Sequence, residues 1–237
     1  MPARPKGLLL DYGGTLVEEV GVDLRAGNEL MLRHAIGCGE TVTIEKIMER
    51  AGKVSRDVSA RRDQFQIETP WPTLIRLIYD FFGITFTKST EELELAFWKA
   101  AITTGAMPGA REAMEKFHRR GIRMGVVSNC SYGQEVIRYE LAKHSLAERL
   151  EFIMVSAEYA VRKPAPLLFE TAAAKLGLEA RDIWFVGDRL DTDVAGAKAA
   201  GMTAVWFCPS PEGKPHNADM VVTSWTELVS KVPSAHP

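Results

Sequence analysis

Asp11 ends a short apolar run, Gly7-Leu8-Leu9-Leu10, and opens a glycine-rich turn, Tyr12-Gly13-Gly14-Thr15. Further along, Met124-Gly125-Val126-Val127 leads into Ser128-Asn129, and Ile183 to Val186 leads into Gly187-Asp188, with Asp191 and Asp193 close behind. Between these two, Arg162-Lys163-Pro164 precedes a helical pattern. Singly, each reads as a turn residue, a helix cap or a solvated charge, and one of the three late acids is expected to cap the helix that follows. Together they place acids, a lysine and small polar side chains at the ends of several apolar strands, which describes a pocket. Carboxylates gathered in one place repel one another unless a cation lies among them. A ligand set made of oxygen, without His or Cys, favours Mg²⁺ over zinc.

Such a gathering requires a parallel sheet, whose ligands bind beyond the carboxyl ends of its strands. After Pro108 the pattern alternates regularly. Helices are expected over Ala110 to Arg120, Gly133 to Lys143, Ala165 to Leu176, Thr192 to Ala200 and Ser224 to Val232. Strands are expected over Ile122 to Val127, Phe152 to Val155, Ile183 to Val186, Thr203 to Phe207 and Met220 to Val222. With Gly7 to Leu10 this predicts an α/β fold of three layers, a sheet covered on both faces. From about Asp23 to Ala101 strand signals nearly vanish. Asp23 is expected to cap a helix carrying Leu30, Leu32 and Ile36, and a second begins at Thr43 and extends to Arg62. Pro72 opens a third, Thr73 to Phe82, and Ser89 with Glu92 forms a capping box for a fourth, Glu91 to Ala101. Trp71, Phe81, Phe82 and Trp98 read as the apolar core of this block. Pro209 to Pro215 reads as a loop, and the tail from Pro233 as loose.

Bulk properties narrow the class. Apolar residues make up 46% and charged residues 25% of 237, which supports a sizeable core and excludes disorder. A formal net charge of -2 with no basic stripe argues against a nucleic-acid partner. No apolar run reaches membrane-spanning length, and the first residues lack an export signal. Cys38, Cys130 and Cys208 are odd in number and widely spaced, so a disulfide framework is not expected and a cytoplasmic setting fits.

In this order, Asp11-Tyr12-Gly13-Gly14-Thr15-Leu16, Ser128, Lys163-Pro164 and Gly187-Asp188-Arg189-Leu190-Asp191-Thr192-Asp193 resemble the four motifs of the haloacid dehalogenase superfamily. The resemblance implies a Rossmann-like core, residues 1–18 and 105–237, and a helical first-position cap, residues 19–104. It also implies a hydrolase in which Asp11 attacks an electrophile, most often a small phosphate monoester, and the covalent intermediate is then hydrolysed. Carried over by position, Mg²⁺ would be held by Asp11, the Gly13 carbonyl and Asp188, with Asp193 in its shell. Ser128, Asn129 and the Gly14 backbone would bind the substrate. Lys163 would neutralise nucleophile and phosphate, and Thr15 would orient the loop. Asp191 would orient its loop or assist the metal. The implied partner is a small phosphorylated or otherwise anionic molecule, bound by a monomer or homodimer.

One position departs from the pattern. Phosphatases of this family carry a second Asp two residues after the nucleophile, which protonates the leaving alkoxide and then activates water. Here that residue is Gly13. A phosphatase that finds its acid elsewhere ranks first. Second is a hydrolase resembling phosphonoacetaldehyde hydrolases, which would need a cap lysine, with Lys46 and Lys53 as candidates. A catalytically impaired phospho-ligand binder ranks third. Metal-independent dehalogenases fit poorly, because Asp188 and Asp193 are kept. Arg25, Arg33, Arg56, Arg61 and Arg62 are candidates to meet an anionic substrate. Glu18 and Glu19 are candidates for the missing acid.

Overall fold

The computed structural model describes residues 2–37, 39, 42–211 and 216–232. In chain order, β1 (Gly7–Leu10) is followed by β2 (Val17–Val22), α1 (Leu24–Arg33), β3 (Ala35–Ile36), α2 (Ile44–Phe65), α3 (Trp71–Tyr79), β4 (Thr85–Phe86), α4 (Thr90–Ala101) and β5 (Ile102–Ala106). Then come α5 (Ala110–Arg119), β6 (Arg123–Ser128), α6 (Gln134–Lys143), β7 (Phe152–Val155), α7 (Ser156–Tyr159), α8 (Pro166–Leu176) and β8 (Ile183–Gly187). The chain closes with α9 (Ala195–Ala199), β9 (Thr203–Phe207), β10 (Met220–Val222) and α10 (Trp225–Lys231).

Six strands form one sheet in the order β10-β9-β8-β1-β6-β7, and every pairing in it is parallel. The fold is thus α/β and Rossmann-like, as the alternation of elements predicts. β1 lies in the middle, with Leu10 opposite Val126 of β6 and Val186 of β8. All four of its residues are buried, as a strand with neighbours on both edges and helices on both faces requires. Side chains alternate between the two faces. Leu8 and Leu10 join a cluster with Phe117, Ile137 and Trp225, while Leu9 joins one with Phe169, Leu176 and Phe185. The chain runs from β1 to β6 and β7 on one side, then returns to β8 on the other. This reversal opens a crevice beyond the carboxyl end of β1.

Residues between β2 and β5 build a third apolar cluster, in which Met31, Ile47, Trp71, Ile75, Tyr79 and Phe97 meet. Local signals act there as expected. The Asp23 carboxylate accepts from Ala26 N at 2.9 Å, and Ser89 and Glu92 close a capping box. Pro72 sits in the first turn of α3, and Gly83, at φ 68°, ends the turn after it.

Four expectations need correction. The helical block is not free of strands: β2 pairs with β5 antiparallel, and β3 pairs with β4. β2 is mostly exposed and its partner lies some 80 positions away, so no hairpin signal betrays it. α1 stops at Arg33, because Ala35 and Ile36 turn into β3. Phe81 is not core. It is 64% exposed, with the Arg50 guanidinium 4.2 Å above its ring. The expected helix from Thr192 starts instead as a wide turn over Leu190–Val194, where Val194 N reaches back to Arg189 O. Cys38, residues 212–215 of the expected loop and the tail from Pro233 lie outside the described residues. Among the described residues no helix is long and apolar enough to cross a membrane.

Candidate active site

At the carboxyl end of β1 the backbone N–H of Asp11 still donates to Val186 O at 2.9 Å, so the sheet itself fixes this residue. Its carboxylate meets a buried ammonium: Lys163 Nζ lies 2.6 Å from Asp11 Oδ1, 2.7 Å from Asp193 Oδ1 and 2.9 Å from Val127 O. The loop carrying Lys163 is clamped by Asn129, whose side chain accepts from Lys163 N at 2.8 Å and donates to Lys163 O at 3.0 Å. Asp193 Oδ2 also accepts from Arg189 N at 3.0 Å and so ties its own loop; none of the three late acids caps the helix that follows, contrary to expectation. Asp188 stands against the turn after β1: a Cβ added to Gly14 would lie 2.5 Å from Asp188 Oδ2. Only glycine admits that approach, at a φ of 72°.

Oxygen atoms of Asp11, Asp188 and Asp193 lie within 4.8 Å of one another. Burial pushes the Asp11 carboxyl up to about 7; Lys163 pulls it down, while Asp193 and Asp188 push it further up. Burial also raises Asp188, with Asp193 adding to it. Burial works against the charge of Lys163, yet Asp11 and Asp193 hold its ammonium above the usual lysine range. One ammonium thus touches two of the three carboxylates, and Asp188 feels Lys163 and Arg189 only at longer range. Asp188 Oδ1 is buried without a hydrogen-bond partner among the described residues. An oxygen-only set with an orphaned carboxylate oxygen fits a hard divalent cation such as Mg²⁺.

The cluster forms the floor of a cavity of about 910 Å³. A family model described as haloacid dehalogenase-like hydrolase matches residues 5–201. The chain belongs to this family. A ribulose-1,5-bisphosphate 5-phosphatase of Halopiger xanaduensis is 30% identical over 118 residues, 49% of this chain and 48% of the relative. A glyceraldehyde 3-phosphate phosphatase of Pyrococcus abyssi is 32% identical over 157 residues, 59% of this chain and 65% of the relative. The chain therefore spans from about half to just under two thirds of the length of these curated relatives. The crystal structure of a HAD phosphatase from Thermococcus onnurineus superposes with a TM-score of 0.66 at 21% identity, covering 96% of this chain and 98% of that one, a likeness of fold.

The cavity brings together Asp11, Gly13, Gly14, Ser128, Asn129, Lys163, Asp188 and Asp193. Thr15 lies behind the loop, fully buried and off the cavity wall, and its carbonyl accepts from Trp225 Nε1 at 3.0 Å. Asn129 reaches the wall, but its carboxamide is committed to the Lys163 backbone. Asp191 is exposed and pairs with Arg189 at 2.8 Å. Of the five arginines singled out in the helical block, Arg62 alone lines the cavity; Arg25 pairs with Glu45 at 3.2 Å. Lys46 and Lys53 are exposed, and Lys163 is the one lysine among the described lining residues.

Gln66, Ser131 and Tyr132 carry no sequence signal, and Arg189 and Trp98 are not expected on the wall from the sequence. Gln66, Ser131, Tyr132 and Arg189 line the cavity, and so does Trp98, whose Nε1 donates to Glu140 Oε2 at 2.6 Å. Beside them Glu68 is buried. It accepts from Ser156 Oγ at 2.7 Å and Ser131 Oγ at 3.0 Å, and it pairs with Arg162. These contacts, with Arg162 N donating to Gln66 O at 3.0 Å, fasten the segment after α2 to the Lys163 loop.

Proposed function

We propose that this hydrolase cleaves small phosphate monoesters through Asp11. The observation that carries the reading is the buried Asp11–Lys163 contact at the end of the central strand, 2.6 Å long, facing Asp188 and Asp193 across one cavity. The curated relatives are named as phosphatases of small phosphorylated metabolites, which supports this substrate class.

In this reading an Asp11 oxygen attacks phosphorus and the ester oxygen leaves, giving an aspartyl phosphate that water then opens. Lys163 holds the Asp11 oxygen in place and offsets the charge that builds on the phosphoryl group. Ser128, at the end of β6, donates to a phosphoryl oxygen, and the Gly14 backbone shapes the loop around it. Asp11, Asp188 and Asp193, with the Gly13 carbonyl, would hold Mg²⁺, which neutralises phosphate oxygens when bound. Residues 19–104 act as a cap: Glu19, Arg62, Gln66 and Trp98 close the cavity over the sheet edge. A cavity of this size suits a metabolite-sized ester.

The test uses the full chain, Asp11→Asn and Asp188→Asn, with p-nitrophenyl phosphate and a panel of sugar and organic-acid phosphates. Phosphate release is expected from the wild type with magnesium, lost on chelation and in Asp11→Asn. Magnesium alone is expected to raise the melting temperature of the wild type, and less so in Asp188→Asn. Release that survives in Asp11→Asn would refute the reading.

A further inference from the structure

Resting on the phosphatase reading of Asp11, we propose that Glu19 is the general acid and base of the reaction, touching the leaving oxygen and then the attacking water. An alkoxide leaves poorly unless a proton reaches it, and Gly13 offers none. Glu19 lines the same cavity as Asp11 and Gly13. A Cβ built on Gly13 meets nothing within 4 Å, so the space beside Asp11 is open to a leaving group.

The β2–β5 ribbon decides which of two adjacent glutamates faces the cavity. Glu19 pairs with Thr104 and Glu18 with Gly105. Directly opposed residues share a face, and neighbours along a strand alternate. Thr104 is buried with its hydroxyl donating to Glu140, and Val17, two residues before Glu19, is buried as well. Glu19 therefore shares their face of the ribbon, and its own side chain is exposed where that face meets the cavity it lines. Glu18 lies on the other face, where its carboxylate would stand 3.7 Å from a Cβ added to Gly105. The register shift in this ribbon falls after Glu19 and leaves the assignment intact. Independently, the Glu19 charge disfavours ionisation of Cys130 and Tyr132, two groups on the cavity wall.

Elimination points the same way. Asp11 and Asp193 are engaged by Lys163, Asp191 by Arg189, and Asp188 belongs to the cation set. Burial keeps Tyr132 protonated and pushes the Cys130 thiol to about 12. Glu19 is the remaining carboxyl group among the described lining residues. In the first step Asp11 forms the O–P bond, the P–O bond to the alcohol breaks, and the Glu19 proton moves to the departing oxygen. In the second, Glu19 carboxylate takes a proton from water as its oxygen bonds phosphorus. The aspartyl O–P bond breaks, releasing phosphate and restoring Asp11 carboxylate and protonated Glu19.

The experiment compares wild type, Glu19→Gln and Glu18→Gln on glycerol 2-phosphate, whose alkoxide needs a proton, and p-nitrophenyl phosphate, whose phenolate does not. Glu19→Gln is expected to lose roughly 10²–10⁴-fold on the alkyl ester. On the aryl ester it should keep a single-turnover burst of nitrophenolate, turn over slowly afterwards, and accumulate phosphate on Asp11, detected by mass after acid quench. Glu18→Gln should behave as wild type. An active wild type with an unchanged alkyl-to-aryl ratio in Glu19→Gln overturns the assignment and leaves the phosphatase reading standing. A wild type silent on both esters overturns the phosphatase reading itself, and this assignment with it.

Discussion

Gly13 and Gly14 are neighbours that should respond in opposite ways to a single methyl group. At Gly14, φ is 72° and the new Cβ would sit 2.5 Å from Asp188 Oδ2 and 2.9 Å from its Cγ. The left-handed backbone costs about 1–2 kcal/mol for a residue with a Cβ. Contacts below 3.0 Å do not persist, so the Asp188 carboxylate must also retreat by about half an ångström. A shift of that size in a charge-positioning group is worth on the order of 10-fold to 10²-fold in rate. At Gly13 the added methyl meets open space, so Gly13→Ala should stay within about 0.5 kcal/mol of wild type. Urea unfolding of both variants, the melting-temperature response to magnesium and phosphate release from p-nitrophenyl phosphate make the comparison. Gly14→Ala should lose stability, magnesium response and activity together, and Gly13→Ala should keep its stability and magnesium response. Equal damage at both positions, or a Gly14→Ala variant with full magnesium response, would refute the placement of Asp188 against this turn.

Three further outcomes are expected. Gly13→Asp, entering the same open space, should raise alkyl-ester turnover and restore it in a Glu19→Gln background, read by phosphate release. Arg162→Met strands the buried Glu68 carboxylate and should cost about 3–5 kcal/mol in urea unfolding, with part recovered in the Arg162→Met, Glu68→Gln double variant. Burial pushes Glu140 up, but hydrogen bonds from Lys143, Thr104 and Trp98 outweigh it and hold the carboxyl below the usual glutamate value of 4.5. A depressed folded value means the stabilisation is fully present above about pH 4.5 and is lost as pH falls below that through the lower folded value. The gap between wild type and Glu140→Gln should therefore be widest near neutrality and shrink in acid, as measured by unfolding across that range.

The core was legible because its signals are local. β1 is four apolar residues between polar neighbours, and helix ends coincide with Gly83, Gly121, Gly177 and Gly201 or with the Ser89 capping box. The acids, Ser128 and Lys163 were legible as well, because the end of each strand marks the rim of the sheet. What escaped depends on pairings between distant parts of the chain. Glu68 and Arg162 look like surface charges until a separation of 94 residues closes. Glu18 and Glu19 are indistinguishable until β5 supplies the register that turns one toward the cavity. Asn129 resembles a ligand-binding side chain until the Lys163 backbone takes up its carboxamide.

The two-stranded ribbon has an architectural consequence. Val22 and Ile102 stand side by side where it ends, so everything from 23 to 101 leaves and re-enters through one doorway only a strand spacing wide. No pairing among the six parallel strands passes through residues 23–101, although Glu68 and Trp98 within that stretch reach back to Arg162 and Glu140. A longer or shorter excursion could be threaded there without rerouting β1, provided it still supplies the Glu68 anchor that steadies the Lys163 loop.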